Sequence, residues 1–449
     1  MQNTKYRTFP RGGIHPPEWK LSAGEPIKEI SAPARVIIPL TQHLGAPAVP
    51  VVERGTAVVT GQLLAQGQGF VSANIHTPVS GKVIKIDAAI DASGYKRTAI
   101  IIDVDGDEWD STIDRSPSLN KNIRDSREEI IRKVQDAGIV GMGGATFPTH
   151  VKLRVPKGKK ADMLIINGVE CEPFLTADHR LMLEKGNELM IGVRLIMKAL
   201  EVKNAVIGIE ENKDDAIEYL SGLAEKQPGI SVQTLKVKYP QGGEKQLIKA
   251  VTGREVPGGG LPVDVGVVVH NVGTTFAVYE AVQKNKPLIE RIVTVTGRSL
   301  STPSNFLVRI GTPVSKLIDA AGGLPEDTGK VVLGGPMMGK AINNLDIPVT
   351  KGTSGVLFLP ADESHREKAD PCIRCSKCIS VCPMGLEPYL LMPLAEYKLW
   401  DKAEKEKVMD CIECGSCSYT CPAHRPLLDY IRLGKMQVGQ LIRKRKQTV

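Results

Sequence analysis

Two copies of the run C-x-x-C-x-x-C-x-x-x-C-P stand near the end of this chain: Cys372, Cys375, Cys378 and Cys382 before Pro383, then Cys411, Cys414, Cys417 and Cys421 before Pro422. A chain that carries them must fold so that thiolates from both runs converge, which constrains its architecture more than any other feature. Three closely spaced cysteines with a fourth before proline suit a 4Fe-4S cluster, and in doubled runs the fourth cysteine serves the other run's cluster. The expected ligand sets are Cys372, Cys375, Cys378 and Cys421 for one cluster, and Cys411, Cys414, Cys417 and Cys382 for the other. A zinc site would want paired C-x-x-C units and leaves the third cysteine and the Cys-Pro of each run unexplained. One-electron transfer is the chemistry implied.

Composition bounds where such a device works. Nine cysteines in 449 residues are too few and too clustered for a secreted disulfide scaffold, and the motif needs reduced thiols, so a cytoplasmic setting is expected. The N-terminus has no apolar signal core, and no run of about eighteen apolar residues occurs, so a soluble or peripheral chain is expected. With 4% aromatic residues and no RNA- or DNA-binding pattern beside a net charge of +8, nucleic acid is not an expected partner. The basic end, Arg443, Lys444, Arg445 and Lys446, reads as a solvated tail. After a possible amphipathic stretch (Leu427, Leu428, Ile431, Leu441, Ile442), it could instead meet anionic lipid or a partner.

The length calls for several domains. Residues 1–115 are rich in Pro and Gly with short β-branched runs such as ARVIIPL (34–40) and GKVIKI (81–86), an all-β pattern. HTPVSGKVIKI (76–86) reads as a hairpin of a small barrel-sandwich domain. That domain resembles biotinyl and lipoyl carriers, but Lys82 and Lys85 lack the carriers' dipeptide context, so an unmodified scaffold is expected. Between 125 and 290 the texture becomes βαβ: MLIIN (163–167) and NAVIGI (204–209) read as buried strands and 180–201 and 213–226 as helices, giving a parallel sheet.

Four loops in that unit suit a nucleotide-like ligand. GIVGMGGATFPTHVK (138–152) is not a dinucleotide fingerprint, yet Gly141, Gly143 and Gly144 let backbone N–H groups approach a flat ring or phosphate, with Lys152 beyond. NGVECEP (167–173) follows a strand and offers Asn167, Glu170 and Glu172 as hydrogen-bonding groups; its Cys171 reads as a packed residue rather than a ligand. In KYPQGGEKQLIKAV (238–251), Gly242 and Gly243 separate an alternating strand from a helix, an anion-binding arrangement, with Glu244 at the helix start. VVVHNVGTT (267–275) is a buried strand ending in Asn271. His150 and His270 read as loop or core histidines.

GMGGATFPTHVK, NGVECEP and the GGE and HNVGTT loops together resemble the NADH- and FMN-binding flavoprotein subunit of respiratory complex I, in the order found in the RnfC family of the Rnf complex. The resemblance to that family covers essentially the whole chain. It implies an N-terminal barrel-sandwich hybrid (1–115), a complex I flavoprotein-like α/β core (125–290), a β-grasp domain of the SLBB type (291–350) and a two-cluster ferredoxin-type 4Fe-4S domain (360–449). In the third, IVTVTGRSL starts a strand, GTPVSKLIDAAGG reads as a helix with a Gly stop, and KVVLGGPMMG (330–339) finishes the domain.

Carried over residue by residue, the resemblance implies that Gly141, Gly143, Gly144, Lys152, Asn167, Glu170, Gly242 and Asn271 line FMN. Glu172 would face the nicotinamide nucleotide, with Phe147 as a stacking ring and Gly243 and Glu244 nearby. The chain departs from the complex I pattern at Met142 for an arginine, Val169 for an aspartate, Gly243 for an acid, and His270 for the first of two asparagines. The family implies a component of an ion-translocating ferredoxin:NAD+ oxidoreductase, held peripherally on the cytoplasmic face of the cell membrane by other Rnf subunits, both membrane-embedded and ferredoxin-like. NADH, FMN and two 4Fe-4S clusters would carry the electrons, coupled to Na+ or H+ transport. The alternatives are a soluble flavoprotein subunit of a bifurcating dehydrogenase or hydrogenase, and a non-catalytic electron-relay adaptor.

Overall fold

A computed structural model describes residues 6–447, with the side chains of Lys446 and Gln447 outside the description. The barrel is built from short strands whose alternate residues point inward. A four-stranded sheet runs Arg35–Pro39, Lys96–Val104, Gly81–Ile90, Ala57–Val58, and faces a three-stranded sheet of Val49–Pro50, Leu63–Gln66 and Ile75–His76. Val36, Ile38, Leu64, Ile75, Val83, Ile100 and Ile102 fill the space between them. The expected 76–86 hairpin is not one: Ile75–His76 and Gly81–Ile90 belong to different sheets, so residues 77–80 cross between layers. The hairpin lies one strand later, where the Asp91 carboxylate accepts from the N–H groups of Ser93 and Tyr95 and closes the turn.

The central unit is a four-stranded parallel sheet in the order Ile230–Leu235, Asn204–Glu210, Met163–Asn167, Val267–Asn271. Its strands are apolar without alternation because both faces are covered. Leu164 and Ile166 enter one core with the helices Arg127–Asp136, Gly186–Leu200 and Val272–Gln283, while Ile165 enters another with Leu247 and Ile248 of Glu244–Thr252. The helical stretch expected near 180–201 is broken at Lys185 into Ala177–Glu184 and Gly186–Leu200. The alternating strand expected up to Tyr239 ends at Leu235, because segment 236–240 is drawn out to pair with the N-terminus. From Met163–Asn167 the chain steps outward through two strands, then returns to the opposite side at Val267–Asn271. That reversal is a topological switch, where ligands of open α/β sheets bind.

The third unit is a mixed six-stranded sheet: Ile27–Glu29, Ser304–Arg309, Glu290–Gly297, Gly355–Pro360, Thr328–Leu333, Lys340–Ile342. The helix Val314–Ala320 packs on it through Val314, Leu317 and Ile318 and stops before Gly322 and Gly323, as its sequence implies. Its sheet extends past residue 350, since Gly355–Pro360 is the strand between Glu290–Gly297 and Thr328–Leu333. Ile27–Glu29 at its edge comes from the N-terminus, and residues 6–30 lie outside the barrel as a strap. Arg7 bridges to Leu235, Ile14 to Tyr239, and the Gly13 N–H donates to the Val381 carbonyl at 2.8 Å.

The last unit is helical. Cys378, Cys382, Leu386, Leu391, Met392, Ala403, Val408, Leu427, Ile431 and Val438 form its core. Leu427–Gln447 is one helix whose apolar residues Leu427, Leu428 and Ile431 are buried in this domain rather than offered to lipid. Arg445 on it pairs with Asp401 and Glu404. Among the described residues no helix is long and apolar enough to cross a membrane.

Candidate cofactor site and cluster centres

Asn167 and Asn271 close their strands as direct register partners, so the two asparagines stand side by side at the carboxyl edge of the sheet. The glycine loop lies over them. Val140 bridges to Pro148, the Gly141 N–H donates to the Phe147 carbonyl at 2.8 Å, and the Met142 N–H to Thr274 Oγ1 at 2.8 Å. A Cβ on Gly143 would stand 3.3 Å from Cβ of Asn271, whereas one on Gly144, at φ +133°, would meet nothing within 4 Å. The loop therefore rests on Asn271 and presents bare backbone to open space, as a cradle for a flat ring requires.

The other two loops join from the opposite side. Asn167 Nδ2 donates to the Gly242 carbonyl at 2.9 Å, and the Val169 N–H to Asn167 Oδ1 at 3.2 Å. Lys152 Nζ meets Glu244 Oε1 at 2.6 Å and the Val269 carbonyl at 3.1 Å, linking the glycine-loop helix to the start of Glu244–Thr252. That nine-residue helix has Gly243 at its N-cap and no side-chain cap. Its first N–H groups, the positive end of the helix dipole, are left for a ligand's negative group. Residues Gly141, Gly143, Gly144, Phe147, Lys152, Asn167, Gly242, Gly243, Glu244 and Asn271 are thus brought to one edge. They fit a flat ring carrying a phosphate.

The two glutamates are engaged differently from the expectation. Glu170, at φ +47°, turns its carboxylate onto the N–H groups of Asp178 and His179 (2.8 and 3.1 Å), capping the Ala177–Glu184 helix. Glu172 accepts from the N–H groups of Met337 and Met338 (3.1 and 2.8 Å), so its carboxylate fastens the GGPMMG loop of the mixed-sheet domain. Burial pushes Glu172 up to about 7 despite these bonds. Neither carboxylate is free for a ribose in this arrangement, because backbone donors of the adjoining elements claim both.

Sequence patterning gave no sign of a charged layer behind these loops. Asn271 Nδ2 donates to Asp178 at 2.6 Å, and burial, with the charge of Glu170, pushes Asp178 up. The buried Arg291, from the mixed sheet, reaches the Thr353 carbonyl. Lys213 Nζ donates to the Val169 carbonyl at 2.8 Å beside Glu210, which burial raises to about 7. These side chains sit in no motif, and only the tertiary fold assembles them. Cys171 is packed among them: burial lifts its thiol far above the usual range, and it accepts the Gly242 N–H. Burial also holds His270 down to about 3, hence neutral.

The eight C-terminal cysteines fall into two groups of neighbours. Burial, then the adjacent Cys421, Cys372 and Cys375, raises Cys378. Burial, then Cys411, Cys414 and Cys382, pushes Cys417 up to about 12. The fourth cysteine of each run thus sits with the other run's three. Cys382, Cys411, Cys414 and Cys417 line one cavity with Leu391 and Ile431. Thiols raised by burial ionise only when a metal takes the charge, which iron coordination supplies. The Leu386 N–H donates to Cys382 Sγ and the Glu413 N–H to Cys411 Sγ, bonds of the kind that tune cluster potential.

This second group abuts the α/β unit. Tyr239, three residues before Gly242, donates its hydroxyl to the Cys414 carbonyl at 2.8 Å. Ile14, Tyr239 and Cys414 form a shared apolar seam with Cys171 and Met337. Cys372 and Cys375 of the other group are exposed.

Four family models match in succession: the RnfC barrel sandwich hybrid domain over residues 8–107, the Nuo51 FMN-binding domain over 134–280, the SLBB domain over 292–341 and a 4Fe-4S dicluster domain over 364–422. The RnfC-type component of the Na(+)-translocating ferredoxin:NAD(+) oxidoreductase complex of Acetobacterium woodii is 46% identical over 97% of this chain and 98% of its own length. Its counterpart in the proton-translocating ferredoxin:NAD(+) oxidoreductase complex of Clostridium ljungdahlii is 48% identical over 88% of this chain and 86% of its own. The counterpart in the ion-translocating oxidoreductase complex of Rhodobacter capsulatus is 45% identical over 85% of this chain and 74% of its own. This chain belongs to the RnfC family, one of the component families of the ion-translocating ferredoxin:NAD(+) oxidoreductase, or Rnf, complexes.

Proposed function

We propose that the chain is the NAD(H)-reacting subunit of a membrane-associated Rnf complex, passing electrons between NADH, FMN and two 4Fe-4S clusters while other subunits couple the flow to Na+ or H+ transport. The observation that carries this reading is the seam at Tyr239. The loop that bears Gly242 and the loop that bears Cys414 share one hydrogen bond and one apolar contact, so the cofactor edge and a cluster centre are neighbours. FMN supplies the needed conversion, accepting a hydride and releasing electrons singly.

The protein's share is to bind, orient and shield. Gly141, Gly143 and Gly144 would hold the ring, with Asn167 and Asn271 as the rigid floor beneath. The open N-terminus of Glu244–Thr252, with Lys152, would take the phosphate. Phe147 is half-buried beside the glycine turn, where a nicotinamide nucleotide would stack. No side chain has to move a proton at the ring, which agrees with the neutral, buried His270. The cluster of Cys382, Cys411, Cys414 and Cys417 is the inner one, and that of Cys372, Cys375, Cys378 and Cys421 faces the next subunit.

The partners are the other Rnf subunits, membrane-embedded and ferredoxin-like, on the cytoplasmic face of the membrane. Purification of the chain from membranes solubilised in mild detergent tests this: membrane subunits and FMN should accompany it. Recovery as part of a soluble hydrogenase would contradict the proposal.

A further inference from the structure

The loop that carries Asn167, Glu170 and Glu172 is strained. Glu170 and Phe174 both hold left-handed backbone conformations, at φ +47° and +70°. Side-chain-bearing residues persist there only where their surroundings over-determine the backbone, and such strain gathers at functional loops. The over-determination comes from outside the α/β unit. Three consecutive residues of the N-terminal strap grip the loop: the Glu18 carbonyl accepts the Phe174 N–H at 2.8 Å, the Trp19 ring stacks on Phe174 at 6.5 Å, and Lys20 Nζ donates to the carbonyls of Glu170, Glu172 and Leu175 at 2.8, 2.9 and 2.7 Å.

We propose that Lys20 is a positioning residue for the cofactor loop: its ammonium draws three loop carbonyls inward and so holds residues 167–175 in the form that receives FMN. The inference rests on the FMN reading above. An ammonium has three donors and no acceptor, and here all three land on main-chain carbonyls that bracket both strained residues. Lys213 treats the Val169 carbonyl the same way. With four carbonyls turned to two buried cations, the side chains of Asn167 and Glu172 are left to meet Gly242 and Met337–Met338. Burial and the nearby Lys213 pull Lys20 down to about 8, so it carries its charge at neutral pH. Supporting residues of this kind set the geometry of groups that touch a ligand without touching it themselves.

The test uses the full chain with both clusters reconstituted, and FMN binding followed by fluorescence quenching. Lys20→Met should bind FMN about 10- to 100-fold more weakly, the usual effect of removing a supporting partner, with iron content unchanged. Lys28→Met, at an exposed strap lysine paired with Glu25, should bind as the wild type does. In Lys20→Ala, added propylammonium replaces the missing atoms and should restore binding, whereas tetramethylammonium, with no N–H, should not. Undiminished FMN binding by Lys20→Met overturns the proposal, and so does a loss in Lys20→Ala that propylammonium fails to reverse. Wild-type chain that takes up no FMN defeats the cofactor reading and this proposal together; wild-type uptake with an indifferent Lys20 defeats this proposal alone.

Discussion

Gly12 offers a direct way to pry the strap from the inner cluster. Its φ is +68°, and a Cβ there would stand 2.6 Å from the Cys382 carbonyl carbon and oxygen and 2.7 Å from the Val381 carbonyl oxygen. Left-handed backbone costs an L-residue about 1–2 kcal/mol, and forcing a methyl against fixed backbone costs about 1–3 kcal/mol more. Gly12→Ala should therefore weaken the strap's seat by about 2–5 kcal/mol, a roughly 30- to 3,000-fold rise in local opening at 1.4 kcal/mol per tenfold. The first bond to go is Gly13 N–H to Val381, immediately before the ligand Cys382. Hydrogen exchange of the peptide spanning residues 6–20 should accelerate, and iron should be lost preferentially from the cluster that uses Cys382. Gly24→Ala is the control, because its Cβ would meet nothing within 4 Å. Wild-type exchange and full iron in Gly12→Ala would refute the argument that the strap is seated on the cluster ligand.

Cys378→Ala should remove one cluster and leave the other, whereas Cys171→Ala should leave iron content unchanged; iron loss in the second variant would overturn the ligand sets. Lys152→Met should weaken FMN binding, since it strips Glu244 and the Val269 carbonyl of their shared partner; a fluorescence titration equal to wild type would contradict this. Lys351 is buried where barrel, α/β unit and mixed sheet meet, donating to the carbonyls of Asn74 and Gly138, and burial pulls it from 10.5 to about 7. Between those values the unfolded chain holds a proton the folded chain has released, so stability rises with pH. Urea unfolding from pH 7 to pH 9 should show the wild type gaining about 2 kcal/mol relative to Lys351→Met, and equal slopes would contradict it.

The elements with a strong local pattern were readable in advance. MLIIN and VVVHN are strands because uninterrupted apolar residues suit a sheet covered on both faces, and the cysteine runs are legible because cluster chemistry fixes their spacing. What escaped was decided by distant contacts. Residues 6–30 have no periodicity, and nothing in them announces that Lys20 reaches Glu170, some 150 positions away. The 76–86 segment has hairpin chemistry, but its strands separate into two sheets because each finds a better partner elsewhere. Glu170 and Glu172 looked like ligand groups, since a sequence shows a carboxylate without the backbone donors that tertiary packing brings to it. Convergence of Asn167, Asn271, Gly143, Gly242, Lys152 and Glu244 at one edge follows from strand order, which loop motifs alone do not specify.

The most direct test of the account is an anaerobic addition of NADH to the purified chain, reconstituted with iron, sulfide and FMN, with flavin and cluster absorbance recorded together. The account predicts that NADH bleaches both, and that the same chain without FMN leaves its clusters oxidised. Clusters that stay oxidised in FMN-loaded chain, or that NADH reduces equally well without FMN, would contradict it.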